Sequence, residues 1–415
     1  MSSSPRRVLL GTLCWNFAGF GFGLVNSVLI ARLLLPEARG VFAIVFTASG
    51  LLALVSAVGV NVSYRVHQPR GDVGLHHYVR LSGKLSVLML ILTLVFIFVY
   101  GAFADEQLLQ PALIAASLWL GITVFLGNQL FDAFNAVGRT HSAAMLNTLG
   151  ILLVLMQLLF SSGQELSVIS IVIMHASAFT LRILVGLWFG VVLVRSASGK
   201  QGSVRAAEWL LLRDGLRLMG MNIGQVVTYR ADQLFLGALG DSRSVGIYAV
   251  AATPASIPGV ISNSIGQIVF RGAAAGQLSF RQTLTWSAVA TTQTALYALV
   301  FWLVAPWAIP WLFGPEYDGA VEVARILVIA EIALVPFLIL SRAAAGWKFI
   351  SIAGLSGAVG VVAISIALVM LIPPFGAPGA AYASMIAYAA MSVFALIAIV
   401  VMRVRRDRTR EGYQL

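Results

Sequence analysis

Residues 85–104 of the chain are LSVLMLILTLVFIFVYGAFA, twenty consecutive residues without a charge. A helix needs about 20 such apolar residues to cross the hydrocarbon core of a bilayer. The composition extends this feature to the whole chain, because 59% of its 415 residues are hydrophobic and only 10% are charged. Soluble domains carry about 25% charged residues. The sequence therefore predicts an integral membrane protein with little room for a soluble catalytic domain.

Similar apolar runs recur along the chain, separated by charged or Pro/Gly-containing segments. Glycines inside the runs favour helices that pack closely in lipid over a β-barrel, whose strands would alternate polar and apolar residues. We predict an all-α, polytopic fold with about 12 transmembrane helices. The predicted spans are about 9–31, 41–63, 83–104, 111–134, 143–161, 167–193, 216–238, 245–270, 284–305, 320–341, 352–372 and 379–402.

The net charge of +11 acts as a topology signal. With both termini in the cytoplasm, most Lys and Arg residues fall in cytoplasmic segments, beginning with Arg6 and Arg7 before the first span. Among the outer segments only Arg32, Arg39 and Arg243 are basic. This asymmetry follows the positive-inside rule. It predicts a multi-pass protein with cytoplasmic termini and disfavours a nucleic-acid partner.

The chain also repeats itself. Residues 39–43, RGVFA, resemble residues 245–249, VGIYA, and Gly40 and Gly246 are 206 positions apart. Residues 136–139, AVGR, likewise resemble residues 344–347, AAGW. We predict two parallel six-helix lobes, because an even number of spans makes both lobes enter the membrane from the same side. The predicted lobes are residues 1–205 and 206–415.

Four motifs carry a resemblance to a known family. Residues 31–42, ARLLLPEARGVF, look like the family's Arg-x-Leu-Gly-Pro-x-x-Tyr-Gly-x-Phe, with Leu35 in place of the glycine and Arg39 in place of the aromatic residue. The other motifs are RADQLFLG at 230–237 followed by VGIY at 245–248, LFGPEY at 312–317, and GAPGAAYA at 376–383. The chain is thereby identified as resembling the Wzx-like polysaccharide flippases of the multidrug/oligosaccharidyl-lipid/polysaccharide (MOP) exporter superfamily, whose fold is MATE-like.

The resemblance implies a bacterial inner-membrane transporter. Its expected substrate is an undecaprenyl-diphosphate-linked oligosaccharide, moved from the cytoplasmic to the periplasmic leaflet for O-antigen, capsule or exopolysaccharide assembly. Membrane lipids, a polysaccharide polymerase and a chain-length regulator are the expected partners. An ion-coupled small-molecule or multidrug antiporter of the same fold is the alternative, and a membrane-embedded polymerase or ligase is a further one. The short outer segments contain no histidine, so we expect no enzymatic activity.

Moving a diphosphate through hydrocarbon requires a polar and preferably cationic path. Arg182, near the middle of the sixth predicted span, is a candidate phosphate ligand, because a guanidinium can bind a phosphate through two hydrogen bonds. His175 lies seven residues earlier on the same helix face and is a candidate proton carrier or a packing residue. In the fourth span, Asn128 and Asp132 share a polar stripe. Asp132 is a candidate for ion coupling or for pairing with an arginine.

The seventh span carries Asn222, Gln225, Tyr229 and Asp232 at spacings of three, four and three, which predicts one helical stripe. Arg230 lies beside this stripe. We expect Arg230 to bind phosphate and Asp232 to serve ion coupling, with a structural ion pair as the alternative. Asn222 and Gln225 are candidate substrate contacts.

Four further candidates lie elsewhere. Glu331 in the tenth span has no charged neighbour within a turn and is the best candidate for a proton or sodium site. Asn263 and Gln267 in the eighth span are one turn apart and suit sugar hydroxyls or interhelical hydrogen bonds. Arg32 ends the first span and either guides a diphosphate or anchors the helix in the headgroups.

We expect no cofactor and no metal site. The sequence has no Gly-x-x-x-x-Gly-Lys nucleotide loop, so the expected energy source is an ion gradient of protons or sodium, or downstream consumption of the product. His76 and His77 are adjacent, but no cysteine or carboxylate beside them completes a metal-ligand set.

Overall fold

A computed structural model describes residues 5–161, 163–196 and 203–411. This part of the chain contains fourteen α-helices, three short 3-10 helices and no strand. The helices are α1 Pro5–Leu33, α2 Pro36–Ser56, α3 Val60–His67, α4 Leu75–Phe103, α5 Pro111–Ala136, α6 Thr140–Phe160, α7 Val168–Ser196, α8 Val204–Thr228, α9 Ala231–Leu239, α10 Ser242–Ala255, α11 Ile257–Ala274, α12 Phe280–Phe313, α13 Ala320–Gly346 and α14 Ile350–Glu411.

The all-α membrane fold is confirmed. Nine helices of the described residues are long and apolar enough to cross a bilayer, and the bent pair α10 and α11 would make ten spans. The apolar stretch of α14 is 52 residues long, far more than the ~20 that one crossing needs. It breaks at Gly376, whose φ of 57° and ψ of −130° are not helical. The break falls between the eleventh and twelfth predicted spans.

The predicted seventh span is interrupted, which corrects the expectation of one continuous polar stripe. Helix α8 ends at Thr228 and α9 begins at Ala231. The Arg230 amide donates to the carbonyl of Val227, only three residues back, so the regular helical ladder stops there. Asp232 therefore belongs to a new helix and does not continue the face of Gln225 and Tyr229.

The chain divides into two compact units. The N-terminal unit comprises Met1–Met219 and Asp241–Gly246, and the C-terminal unit comprises Gly220–Gly240 and Ile247–Leu415.

In the N-terminal unit, a buried aromatic cluster joins α3, α4 and α5. The rings of Tyr64 and Tyr78 stack with their centroids 4.1 Å apart, and Met89 and Phe125 pack in the same core. Leu211 of α8 is also buried there. The start of α8 is thus part of the core of this unit.

Polar contacts also hold the start of α8 in the N-terminal unit. The His67 ring lies between two carboxylates, 3.2 Å from Asp72 and 3.0 Å from Asp214. The hydrogen bond from the Arg213 guanidinium lowers the pKa of Asp214. A separate contact joins the Lys84 ammonium to the Glu208 carboxylate at 2.6 Å.

In the C-terminal unit, α13 packs against α11, α12 and α14. Pro336 interrupts the backbone hydrogen bonds of this helix. A side chain of α14 provides replacement hydrogen bonds. The Phe337 amide donates to the Ser392 hydroxyl at 3.0 Å, and that hydroxyl donates to the carbonyl of Ala333. This arrangement satisfies backbone groups that water cannot reach in a membrane helix.

The two glycines of the sequence repeat meet in the N-terminal unit. A Cβ atom on Gly40 would lie 1.6 Å from the Ser242 carbonyl oxygen, and one on Gly246 would lie 1.9 Å from the Pro36 carbonyl oxygen. The Ser242 hydroxyl donates to the Asp105 carboxylate beside this contact. The first turns of α2 and α10 therefore touch backbone to backbone, which only glycine permits here.

This contact predicts a matched pair of outcomes. Gly40→Ala or Gly246→Ala should destabilise the protein by about 1–3 kcal/mol, the usual penalty for overpacking. Gly50→Ala, on the same helix α2 with nothing within 4 Å of the added atom, should be neutral or slightly stabilising because alanine favours helices. Thermal unfolding of the purified protein in detergent measures both. Equal melting temperatures for all three variants would contradict the contact.

Candidate functional site: polar groups at membrane depth

Arg182 of α7 occupies a slot between helices of the N-terminal unit. Its side chain is 7% exposed, and two glycines make room for it. A Cβ on Gly127 would lie 1.7 Å from Nη2, and one on Gly150 would lie 2.8 Å from Cδ. Nη1 donates to the Asn147 side-chain oxygen at 3.1 Å, and the guanidinium lies 4.7 Å from the centroid of the Phe179 ring.

The charge of Arg182 has no ion-pair partner among the described residues. An uncompensated guanidinium at membrane depth is costly and is typical of sites that bind an anion or face water.

His175, predicted on the same face, is buried instead among Phe42, Phe46 and Phe179. Its Nδ1 lies 2.9 Å from the carbonyl oxygen of Ile171. This environment is that of a packing histidine.

The two predicted polar residues of helix α5 lie in different environments. Asn128 is exposed, whereas Asp132 is buried. The Asp132 carboxylate accepts a 2.7 Å hydrogen bond from Asn61 and lies 3.3 Å from the Arg65 guanidinium. Of its two predicted roles, this geometry favours pairing with an arginine, here one that follows the second span.

Asp232 is the centre of a buried cluster in the C-terminal unit. Its carboxylate accepts hydrogen bonds from the Tyr248 hydroxyl and, at 3.2 Å, from the Ser384 hydroxyl. The backbone amide of Gln233 also donates to it, at 2.7 Å. Tyr248 belongs to the motif at 245–248, and Ser384 directly follows the motif at 376–383. Sequence reasoning missed both partners, because they are 16 and 152 positions from Asp232.

Glu331 lies on α13 of the same unit. Its Oε2 atom is buried without a hydrogen-bond partner among the described residues, and it faces Gly259 of α11, where a Cβ would lie 3.4 Å away.

The other residues of the predicted seventh span lie in different environments. Gln225 donates to the Tyr229 hydroxyl at 3.0 Å. Arg230 is exposed at the break between α8 and α9. The side chain of Asn222 lies outside the described residues.

Helix α11 presents its two predicted polar residues on an exposed face. Asn263 and Gln267 are both exposed, and Asn263 accepts a 2.7 Å hydrogen bond from Arg342 of α13. The predicted tenth span stops at residue 341, just before Arg342, but α13 continues to Gly346. Arg32, in the last turn of α1, is exposed.

These groups have one requirement in common. Exposed amides and buried charges at membrane depth suit a multi-helix carrier with a water-filled path, since lipid satisfies none of them. The fold is similar to that of solved flippases and MATE transporters. It is similar to "Lipid II flippase MurJ, inward closed conformation", with a TM-score of 0.74, 14% identity, and coverage of 94% of this chain and 87% of that chain.

An inward-facing MATE multidrug transporter of the MOP superfamily is also similar, with a TM-score of 0.65, 15% identity, and coverage of 97% of this chain and 99% of that one. The MATE transporter DinF-BH in complex with R6G has a TM-score of 0.62 and 14% identity, with coverage of 97% and 96%. No curated protein matches the chain in sequence.

Residues 10–270 match the polysaccharide biosynthesis protein family, and the chain belongs to that family. The match and the fold confirm the recognition that the four sequence motifs supported.

From the Arg182 slot we predict that the charge of this arginine is needed for transport but not for the stability of the fold. Arg182→Met keeps the length of the side chain and removes a buried charge, so the melting temperature should stay unchanged or rise. Substrate transport should fall by at least tenfold. Gly127→Ala keeps the charge but displaces Nη2 and should also reduce transport. An Arg182→Met variant that transports normally, or that unfolds, would show that the arginine is structural.

Proposed function

We propose that this protein moves an undecaprenyl-diphosphate-linked oligosaccharide from the cytoplasmic to the periplasmic leaflet of the bacterial inner membrane, with both termini in the cytoplasm. The observation that carries the proposal is the buried Arg182, which has no ion-pair partner among the described residues. A diphosphate supplies the missing negative charge and fits the planar fork of a guanidinium. Membership of the polysaccharide biosynthesis family supports the same substrate class.

The charged groups suggest that the N-terminal unit binds the anionic substrate and the C-terminal unit binds the coupling ion. The N-terminal unit buries the cation Arg182, which suits an anionic substrate. The C-terminal unit holds the carboxylates Asp232 and Glu331, each away from any ion pair within the described residues. Carboxylates of this kind suit a proton or sodium ion, because neutralising them lowers the cost of keeping them in a low dielectric.

The exposed amides would form hydrogen bonds with the sugar chain. Asn128 of α5 and Asn263 and Gln267 of α11 are exposed at membrane depth. Amides both donate and accept hydrogen bonds, so they can exchange partners with the hydroxyls of many sugars. Each of these faces would bind sugar hydroxyls, and a polymerase with a chain-length regulator would consume the product on the outer side.

The direct test is flipping of a fluorescent undecaprenyl-diphosphate oligosaccharide by purified protein in proteoliposomes. Transbilayer movement is measured by the loss of fluorescence after an impermeant quencher is added. We expect movement that a proton or sodium gradient accelerates. A wild-type protein that moves no lipid-linked oligosaccharide under any gradient would overturn the proposal.

Antiport of small molecules is a second candidate, which the fold similarity to MATE transporters supports. Uptake of a cationic dye into the same proteoliposomes distinguishes the two functions. Dye transport without lipid flipping would favour the antiporter. Flipping without dye transport is the result that we expect.

Glu331→Gln tests the coupling site. The amide mimics the neutral, ion-bound carboxylate, so the variant should flip substrate at a reduced rate that no longer responds to an ion gradient. Glu322→Gln is the matched control, because Glu322 is exposed in the first turn of the same helix α13, and it should keep gradient dependence. A Glu331→Gln protein with wild-type gradient dependence would assign coupling to another group, with Asp232 next in line.

A further inference from the structure

Arg342 lies within helix α13, which continues to Gly346, whereas the predicted tenth span stops at residue 341. Its Nη2 atom reaches Asn263 of α11, and α11 continues for eleven residues beyond Asn263 to Ala274. At 1.5 Å per residue this remainder is roughly 16 Å long. The guanidinium therefore lies about three helical turns inside the end of α11 and at the level of the exposed polar face.

The surroundings of Arg342 hold its side chain in one position. The Asn263 side-chain nitrogen donates to the Gly259 carbonyl at 2.8 Å, which turns the Asn263 oxygen toward Arg342. That oxygen accepts from Nη2 at 2.7 Å. Gly266 provides the space for the stem, because a Cβ there would lie 2.7 Å from Cδ and 3.1 Å from Nε of Arg342.

The charge of Arg342 is not neutralised within this arrangement. No carboxylate forms an ion pair with it in the described part of the chain, and Glu331 is eleven residues, or three turns, earlier on α13. A guanidinium has five N–H donors, and Asn263 takes one of them. Arg342 is only partly buried, so part of its side chain is accessible to a ligand.

We propose that Arg342, oriented by Asn263 and Gly266, is a binding residue for the diphosphate of the lipid-linked substrate. This inference rests on the proposed function and adds a phosphate ligand to the C-terminal unit. A fixed, unneutralised guanidinium beside exposed amides suits a diphosphate attached to a sugar. The anionic headgroup of a bulk phospholipid has related chemistry, so the experiment includes it as a competitor.

The test is binding of undecaprenyl diphosphate, without sugar, to the purified full-length protein in phosphatidylcholine nanodiscs. We expect Arg342→Ala to weaken binding about tenfold or more, as for the loss of charge-assisted hydrogen bonds. Arg342→Lys should weaken it less, because the charge remains without the planar fork. Undecaprenol, which lacks phosphate, should bind equally weakly to all variants.

Two glycines of α11 provide a matched comparison that leaves the arginine in place. Gly266→Ala pushes against Arg342 and should weaken binding several-fold. Gly272→Ala places its Cβ at an ordinary 3.5 Å from Leu278, and it should bind like the wild type. Melting temperatures of all variants identify any that fail to fold, and Gly266→Ala then carries the test.

The outcomes separate this inference from the proposed function. If the wild type flips substrate and Arg342→Ala, Arg342→Lys and Gly266→Ala all bind undecaprenyl diphosphate as the wild type does, the inference alone is wrong. If phosphatidylglycerol displaces the ligand completely, Arg342 is a general lipid-headgroup site and the inference is again wrong. If the wild type neither flips the substrate nor binds undecaprenyl diphosphate, both proposals are wrong.

Discussion

The absence of water from the core of a bilayer constrains this protein more than any other factor, because each polar group at membrane depth needs a protein partner or a water-filled path. Many polar groups of the chain have a protein partner. Ser392 repairs the interruption at Pro336, and Asn26 donates to the Ile151 carbonyl at 3.0 Å. These contacts hold helices together. The polar groups that remain exposed are the ones that require water, and we propose that they lie on the functional face of each unit.

The buried charges follow the same constraint. Asp132 is compensated by Arg65 and Asn61, and Asp232 by hydroxyls and a backbone amide. Arg182 and Arg342 have only neutral side-chain hydrogen-bond partners among the described residues. Since an unneutralised cation in a low dielectric is unfavourable, its retention is best explained by an anion that arrives during transport. A diphosphate is such an anion.

The sequence predicted those features that depend on local composition. The apolar runs located most of the spans. The repeat drew attention to Gly40 and Gly246, but it did not predict that their backbones meet. Features that depend on distant contacts were not accessible. The partners of Asp232 are far away in sequence, and the break at Arg230 falls within an apolar run. The predicted tenth span stops at residue 341 because a hydropathy pattern ends at a charge, whereas helix α13 continues to Gly346.

Cysteine accessibility measures most directly whether the exposed amides face water. In a Cys14→Ser background, Asn128→Cys, Asn263→Cys and Gln267→Cys would be treated with a charged, membrane-impermeant thiol reagent from each side of the membrane. Phe98→Cys and Ile366→Cys, at exposed apolar positions of α4 and α14, serve as lipid-facing controls. The account predicts rapid labelling of the first three positions from at least one side and little labelling of the two controls. Equal, slow labelling at all five positions would mean that the polar faces have no access to water, and it would contradict a transport path along them.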